Sequence, residues 1–322
     1  MKLLAISFGR KGGNCDIIAK KALLAAKQEG VEIEFINTCN LKIDRCTGCG
    51  ACDKVRERGG MSLCVRKDDF VFVRNEIMDS DALLIVAPVY SVGPVGQFKN
   101  LLDRMGASHD RAALLEENER RRALGWSEDK MIDPRVFKDR PYAVVSVGGA
   151  RTPGWTSLGI PTLHLLGVSN QMIPVDAIDA YGMGDRVHPL LDEVFAKRVE
   201  KLGKNLASAL KAPKGEVKWL GEEEGYCPSC HGRTLTIRGK NDVECTVCGS
   251  RGKLTVENGE IKVSYTEEEI ARSRYHFGGL DEHHKEIASM MALVPKVLEA
   301  RGAEIPALME PLNEIQETTP SK

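Results

Sequence analysis

The chain has 322 residues, 42% of them hydrophobic, enough for one large domain and one or two small ones. Its formal net charge of −1 gives no general nucleic-acid or membrane surface, and 5% aromatic residues leave little for base stacking. The start, MKLLAISFGRKGG, lacks the apolar length and small-residue cleavage site of a signal peptide. No stretch is apolar enough to span a bilayer, and cysteines grouped as metal-ligand thiolates make a reducing cytoplasm the expected location.

In chain order, Leu3 to Ser7 predicts a strand that runs into the glycine-rich stretch GRKGGN. Asp16 to Gln28 predicts a helix with Ile17, Ile18, Leu23 and Leu24 on its apolar side, and Val31 to Ile36 a second strand. ALLIVA, Ala82 to Ala87, is apolar on both faces and predicts a fully buried strand. Val95 to Met105 reads as helix. Tyr142 to Val147 is another buried strand closed by Gly148 and Gly149, Met172 to Ile178 a weaker strand, and Pro189 to Leu210 a long amphipathic helix. This alternation predicts an α/β fold over 1–212: an open, doubly wound parallel sheet with helices on both faces.

The pattern breaks at 106–140, a charged insertion whose plain reading is a solvated surface helix and whose sharper reading is a lid or dimer arm. Asp68-Asp69 reads as a helix N-cap. Lys211 to Gly225 has the Pro, Gly and charge of a linker. A small module follows over 213–265, with short strands at Thr234–Arg238 and Lys262–Tyr265. A helical C-terminal segment over 266–322 opens with TEEE, and its tail after Pro306 reads as loosely ordered.

Eight of the ten cysteines form two sets of four. Cys46, Cys49 and Cys52 sit in CTGCGAC with Cys64 further on, a pattern that suits a cubane 4Fe-4S cluster, with zinc or no metal as alternatives. Cys227, Cys230, Cys245 and Cys248 make two C-x-x-C knuckles, the pattern of a zinc ribbon; a single redox iron accepts the same tetrahedron of thiolates. Thiolates grouped in this way fit a reducing compartment. Cys15 and Cys39 read as small hydrophobes, although a thiol at a helix N-terminus can have a lowered pKa. His276, His283 and His284 read as solvated helix residues, with a metal or substrate site as the sharper alternative. The basic residues Arg233, Arg238, Lys240, Arg251 and Lys253 of the ribbon have acidic flanks, so a nucleic-acid role is not expected.

Three loops fall at carboxyl ends of predicted strands: Gly9 to Asn14, Pro88 to Gly93, and Gly148 to Arg151 with Trp155 behind it. Ligands of open parallel sheets bind along that edge. The order GRKGGN, CTGCGAC, CVRKDDF, APVYSVGPVGQFKNLLDR and VGGAR resembles the flavodoxin-like NAD(P)H-dependent FMN reductases, above all their iron-sulfur flavoprotein branch, over roughly residues 1–210. The resemblance implies FMN at the sheet edge. It puts Arg10, Lys11, Gly13 and Asn14 on the phosphate loop, Pro88, Val89, Tyr90, Ser91 and Gly93 beside the isoalloxazine ring, and Gly148 and Gly149 on the third flavin loop. Phe8 and Cys15 stand where the family usually has hydroxyl side chains, and Cys64 follows at a longer spacing than the family's fourth cysteine.

The implied function is FMN-dependent electron transfer between NAD(P)H or a ferredoxin, the flavin, the 4Fe-4S cluster and a further acceptor. Tyr90, Trp155 and the insertion would shape the substrate side. Resemblance to this family also implies a homo-oligomer, dimer or tetramer. Two rivals stand beside this reading: an NAD(P)H:FMN or quinone reductase without a cluster, and a flavin-bearing redox sensor or scaffold that recruits a partner through its ribbon.

Overall fold

A computed structural model describes residues 1–106, 110–184, 188–222 and 224–318. Five strands, β1 (Lys2–Ser7), β2 (Glu32–Asn37), β3 (Ala82–Tyr90), β5 (Pro141–Val147) and β6 (Ile173–Ala180), form a parallel sheet in the order β2-β1-β3-β5-β6; the two-residue β4 (Gly93–Pro94) turns back antiparallel on β3. This is the doubly wound, flavodoxin-like order, and it reverses direction between β1 and β3. Leu3 pairs with Ala82 and Leu83 with Tyr142.

Because side chains alternate, Leu4, Ile6, Leu83, Ile85, Tyr142 and Val144 enter one buried layer, and Leu3, Ala5, Leu84, Val86, Ala143 and Val145 the other. The second layer is closed by α1 (Asn14–Gln28) and, from further along the chain, by the long helix Glu193–Lys211. These two helices pack so closely that any side chain at Gly203 would collide with the Ala22 carbonyl. The first layer is closed by helices that follow α2 (Ala51–Glu57): α3 (Phe70–Asp79), α4 (Gly96–Gly106), α5 (Arg111–Ala123), α6 (Gly159–His164) and α7 (Leu166–Ser169). Burial on both faces is why the central strands lack a polar alternation. The helix Glu193–Lys211, α8, begins later than its apolar pattern predicts. Asp192 caps it by accepting from the Phe195 amide at 3.0 Å, and Pro189–Leu191 forms a separate 3₁₀ turn.

The small module is a four-stranded antiparallel sheet, β7 (Leu235–Gly239), β8 (Asp242–Cys245), β9 (Arg251–Glu257) and β10 (Glu260–Ser264), in the order β10-β9-β8-β7. Two of these strands go unread in the sequence, although Asn258-Gly259, with φ of +54° and +81°, is a strong hairpin signal. The four ribbon cysteines share one buried cluster with Phe70, Tyr142 and Leu166, so this sheet lies on the larger sheet's core. Lys211 to Gly225 is likewise pinned: the Leu220 amide donates to Val175 O at 2.8 Å, and Trp219 stacks on His231 at 4.5 Å.

The chain packs as two compact units, Met1–Leu280 and Asp281–Lys322. After α9 (Glu267–Ala271), α10 (Phe277–Arg301) spans that division. The tail carries α11 (Ile305–Met309) and a 3₁₀ turn at Glu310–Glu314, where loose order is expected from sequence. Pro306 lies in the first turn of α11, where its missing N–H costs nothing.

Candidate functional site at the carboxyl edge of the sheet

The first loop leaves β1 at Ser7 and enters α1 at Asn14, with Gly13 at the cap. A residue not singled out in the sequence shapes it. The buried Asp16 carboxylate accepts from Ser7 Oγ (2.6 Å), the Gly12 amide (2.7 Å) and Asn37 Nδ2 (2.6 Å), while Asn37 also donates to Gly9 O at 3.0 Å. Gly12 takes φ +71°, and a side chain at Gly9 would meet Cys15 Sγ. Arg10 and Lys11 are exposed on the loop. The thiol of Cys15 is buried, which pushes its pKa up to about 12, so it is a neutral packing group and no thiolate. Phe8 is also buried, edge-on to Phe98. Cys39, by contrast, is exposed rather than packed.

The second loop is a tight hairpin. Tyr90 pairs with Gly93, and Ser91 and Val92 between them both take positive φ, +51° and +73°. A β-branched residue there stores strain on the order of 1–3 kcal/mol. Val95 N donates to Pro88 O at 2.9 Å, and Tyr90 projects into solvent, 63% exposed. Gln97 ties this loop to the end of β2: its Oε1 accepts from Thr38 Oγ1 at 2.8 Å, and its Nε2 donates to Thr38 O and Leu41 O.

The third loop, Gly148 to Thr156, is held by Asp179 at the end of β6, which accepts from Ser146 Oγ (3.0 Å) and Thr156 Oγ1 (2.7 Å). Gly148 has no room for a side chain beside Thr156, and Gly159, at the start of α6, packs against Ser146 and Val89. The fold thus brings all three loops to one edge, with Tyr90, Trp155, Leu158 and Tyr181 exposed around them. Such an edge, with glycine-lined turns at the β1/β3 reversal, offers backbone amides to an anion and apolar rings to a flat group.

The two cysteine sets are placed differently. Cys227, Cys230, Cys245 and Cys248 are fully buried, and their sulfurs all lie within 4.8 Å of one another, with pairs at 3.2 and 3.4 Å. Sulfurs bound tetrahedrally to one zinc would stand about 3.8 Å apart, so this set fits a single metal ion. Contact with Cys227 and the other thiols pushes Cys230 up and pulls Cys248 down in pKa.

Cys46 and Cys49 are exposed on a loop turned by Gly48 and Gly50, both at φ +64°, and Cys52 lies in α2. Hydrogen bonds from the Ala51 amide and Thr47 lower the Cys49 thiol; burial, Asp53 and the nearby Cys64 raise that of Cys52. Among the described residues, the ribbon set is the one group of metal-ligand type drawn within 4.8 Å, and the first set is not so gathered.

Two buried arginines brace that loop. Arg104 grips Asp68 through a bidentate pair (2.5 and 2.9 Å), donates to Asp44 O at 3.1 Å and lies over the Phe70 ring. Burial alone would raise the Asp68 carboxyl; the bonds from Arg104 and from the Asp44 and Phe70 amides outweigh it and hold it below the usual range. Asp68 is thus an ion-pair partner, and Asp69, although at the cap position of α3, spends its carboxylate on the Lys42 amide at 2.7 Å. Arg121, in α5, is fully buried; it donates to the carbonyls of Arg56 (3.0 Å) and Gly60 (2.9 Å) at the end of α2, to Lys130 O, and to Glu117 at 2.7 Å. Over the described residues of the charged insertion, α5 keeps Glu116, Glu119, Arg120 and Arg122 at the surface, as a solvated helix does, and turns Glu117, Asn118 and Arg121 inward as a brace for the cysteine loop; residues 107–109 lie outside the described residues. His276 and His283 are exposed, and no metal-type grouping forms around them or His284 among the described residues.

The chain matches the family described as NADPH-dependent FMN reductase over residues 1–178. It is 28% identical over 298 residues to a flavone synthase of Aspergillus candidus, covering 89% of this chain and 88% of that protein. It is 29% identical over 175 residues to an iron-sulfur flavoprotein of Methanocaldococcus jannaschii, 54% of this chain and 75% of the other. A solved structure described as a flavone reductase superposes with a TM-score of 0.81 at 24% identity, covering all of both chains, and shares the fold including the ribbon.

Proposed function

The chain belongs to the NADPH-dependent FMN reductase family and is an FMN-dependent oxidoreductase, and from this premise we propose that it takes reducing equivalents from NAD(P)H and delivers them to a flat, unsaturated acceptor of flavone type. The observation that carries the reading is the meeting of three loops at the β1/β3 reversal of the sheet. In this reading the amides of Gly9 to Asn14, with Arg10 and Lys11, hold the phosphate of FMN. Pro88, Val89, Tyr90, Ser91 and Gly93 line its ring, and Gly148 and Gly149 close the third side. FMN, when bound, supplies an acceptor for hydride that can also release electrons singly. The chain's own work is to orient and to exclude water. Asp16 and Asn37 pre-form the phosphate loop, Asp179 holds the Gly148 loop, and Tyr90 and Trp155 stack on the acceptor. Full-length similarity to a protein named for making a flavone supports a flat ring of that class at the site, and membership of a reductase family supports delivery of electrons to it.

A second reading rests on the CTGCGAC run and the cysteine that follows it. Here Cys46, Cys49, Cys52 and Cys64 hold a 4Fe-4S cluster, and a ferredoxin is a possible donor or acceptor; the similarity to iron-sulfur flavoproteins supports it. Under both readings the ribbon set holds a structural zinc and the chain works as a homo-oligomer in the cytoplasm. The ribbon's Arg238, Arg251 and Lys253 are engaged by Glu244 and Asp242, which argues against a nucleic-acid partner.

The test is made on protein purified without oxygen. FMN, zinc, iron and sulfide are measured per chain, and flavin bleaching by NADH or NADPH is followed with and without a flavone. FMN with one zinc, little iron, and reoxidation by the flavone supports the first reading. Iron and sulfide in similar amounts, with reoxidation by ferredoxin rather than flavone, supports the second. Slow turnover with every acceptor would leave the sensor or scaffold role and defeat both.

A further inference from the structure

The second compact unit exposes far more apolar side chain than a solvated segment carries. Along α10, Ile287, Met291, Val294 and Leu298 recur at alternating spacings of four and three, and each is 41–66% exposed. This is the spacing of a coiled-coil seam, held over four positions that straddle Pro295, and such a stripe is buried against another helix with a matching stripe. Met290 and Val297 flank the seam on one side and Ala288 and Pro295 on the other, so no charge borders it; Lys285, Lys296 and Glu299 fall on the opposite face. Leu308, Met309, Leu312 and Ile315 extend the apolar surface, 48–80% exposed.

We propose that this face is the contact between two copies of the chain, with the α10 seams paired antiparallel. Antiparallel pairing about the midpoint between Met291 and Val294 stacks Met291 on Val294 and Ile287 on Leu298, so each seam residue meets an apolar partner and the interface is self-complementary, as a two-fold contact must be. The exposed side chains of Ile287, Met290, Met291, Val294, Val297 and Leu298, with Leu308, Met309, Leu312 and Ile315 beyond them, form a face in the size class of a standard stable interface, ~800 Å² per partner. A membrane is a poor occupant. From Asp281 to Thr318 the segment holds eight acidic and three basic residues, and an acidic helix is repelled by anionic lipid. A second copy carries the same acid excess, yet it meets this chain only across the uncharged seam.

The test uses the full-length, flavin-loaded protein and its mass by sedimentation. Two double variants are compared: Met291→Glu with Val294→Glu, and Met291→Lys with Val294→Lys. Antiparallel pairing sets like charges against each other in either variant alone, so each is expected to fall one step in assembly, to half the wild-type mass, with a dissociation constant raised at least tenfold. Mixing the two is expected to restore the wild-type mass, which a misfolded variant would not do. Flavin absorbance checks that the body of each variant is intact. A wild-type chain of monomer mass, in which the face is covered within one chain, would overturn the proposal. So would variants of unchanged mass, or a mixture that does not reassemble.

Discussion

The two cysteine sets have the same ligand chemistry and opposite settings. The ribbon sulfurs sit at the base of two knuckles whose surroundings are core: Val247 and Tyr275 belong to the same buried cluster, and Tyr275 Oη and Tyr142 Oη are 2.6 Å apart. The first set hangs on a glycine-turned loop with two of its four sulfurs exposed, although Arg104 and Arg121 fix both ends of that loop. A site whose ligands are also core residues is assembled by folding, and its metal adds to the stability of the whole; a site on a surface loop is drawn together by what it binds, and folding of the rest is indifferent to it.

That contrast is open to direct attack. The largest effect is expected from Cys227→Ser, which would leave the proposed zinc three of its four buried sulfurs. Loss of zinc should lower unfolding free energy by several kcal/mol, read by urea denaturation with zinc content, and flavin absorbance should survive in the fraction that folds. A variant that keeps its stability but loses a specific protein complex would instead favour the scaffold reading.

Acid provides a medium effect. His164 is buried against Tyr142, whose Oη lies 2.6 Å from His164 Nδ1, and burial, then the nearby His231, push its pKa down to about 3. The unfolded chain takes up a proton near the ordinary value of about 6.5 that the folded chain refuses. This contribution is therefore full above that value and shrinks between about pH 6.5 and about pH 3, by up to about 1.4 kcal/mol per pH unit. In His164→Gln the stability-versus-pH curve should be flatter than wild type over that window; parallel curves would remove His164 from the account.

The smallest effect belongs to the first set. Cys46→Ser and Cys49→Ser should shift stability by no more than about 0.5 kcal/mol and leave FMN and zinc unchanged. A large loss of stability would show that this loop, too, is built into the core and would dissolve the contrast; loss of iron alone would keep it and support the cluster.

Much of this was legible in the chain. Strands apolar on both faces, separated by helical periods, identify a covered parallel sheet, and glycines after the strands mark the loops of its carboxyl edge. The C-x-x-C knuckles identify the ribbon set because their spacing is itself the geometry of the site. The bracing role of the insertion is not legible because charge in sequence reads as solvation. Arg121 and Glu117 are charged and buried together, and the further partners of Arg121, the carbonyls of Arg56 and Gly60, lie 65 and 61 residues away. Asp16 and Asp179 escaped notice for a related reason: a lone acid has no pattern until the fold brings it an amide or a hydroxyl.

What the sequence determined by itself is whatever depends on local order: the periodicity of each element, the ligand types and spacing of each cysteine set, the glycines of the turns. Only the tertiary structure decided which charges are paired, which thiols are gathered, and that ribbon and sheet share one core. Those are contacts between residues far apart in the chain, and their energies come from burial, which a linear order does not contain.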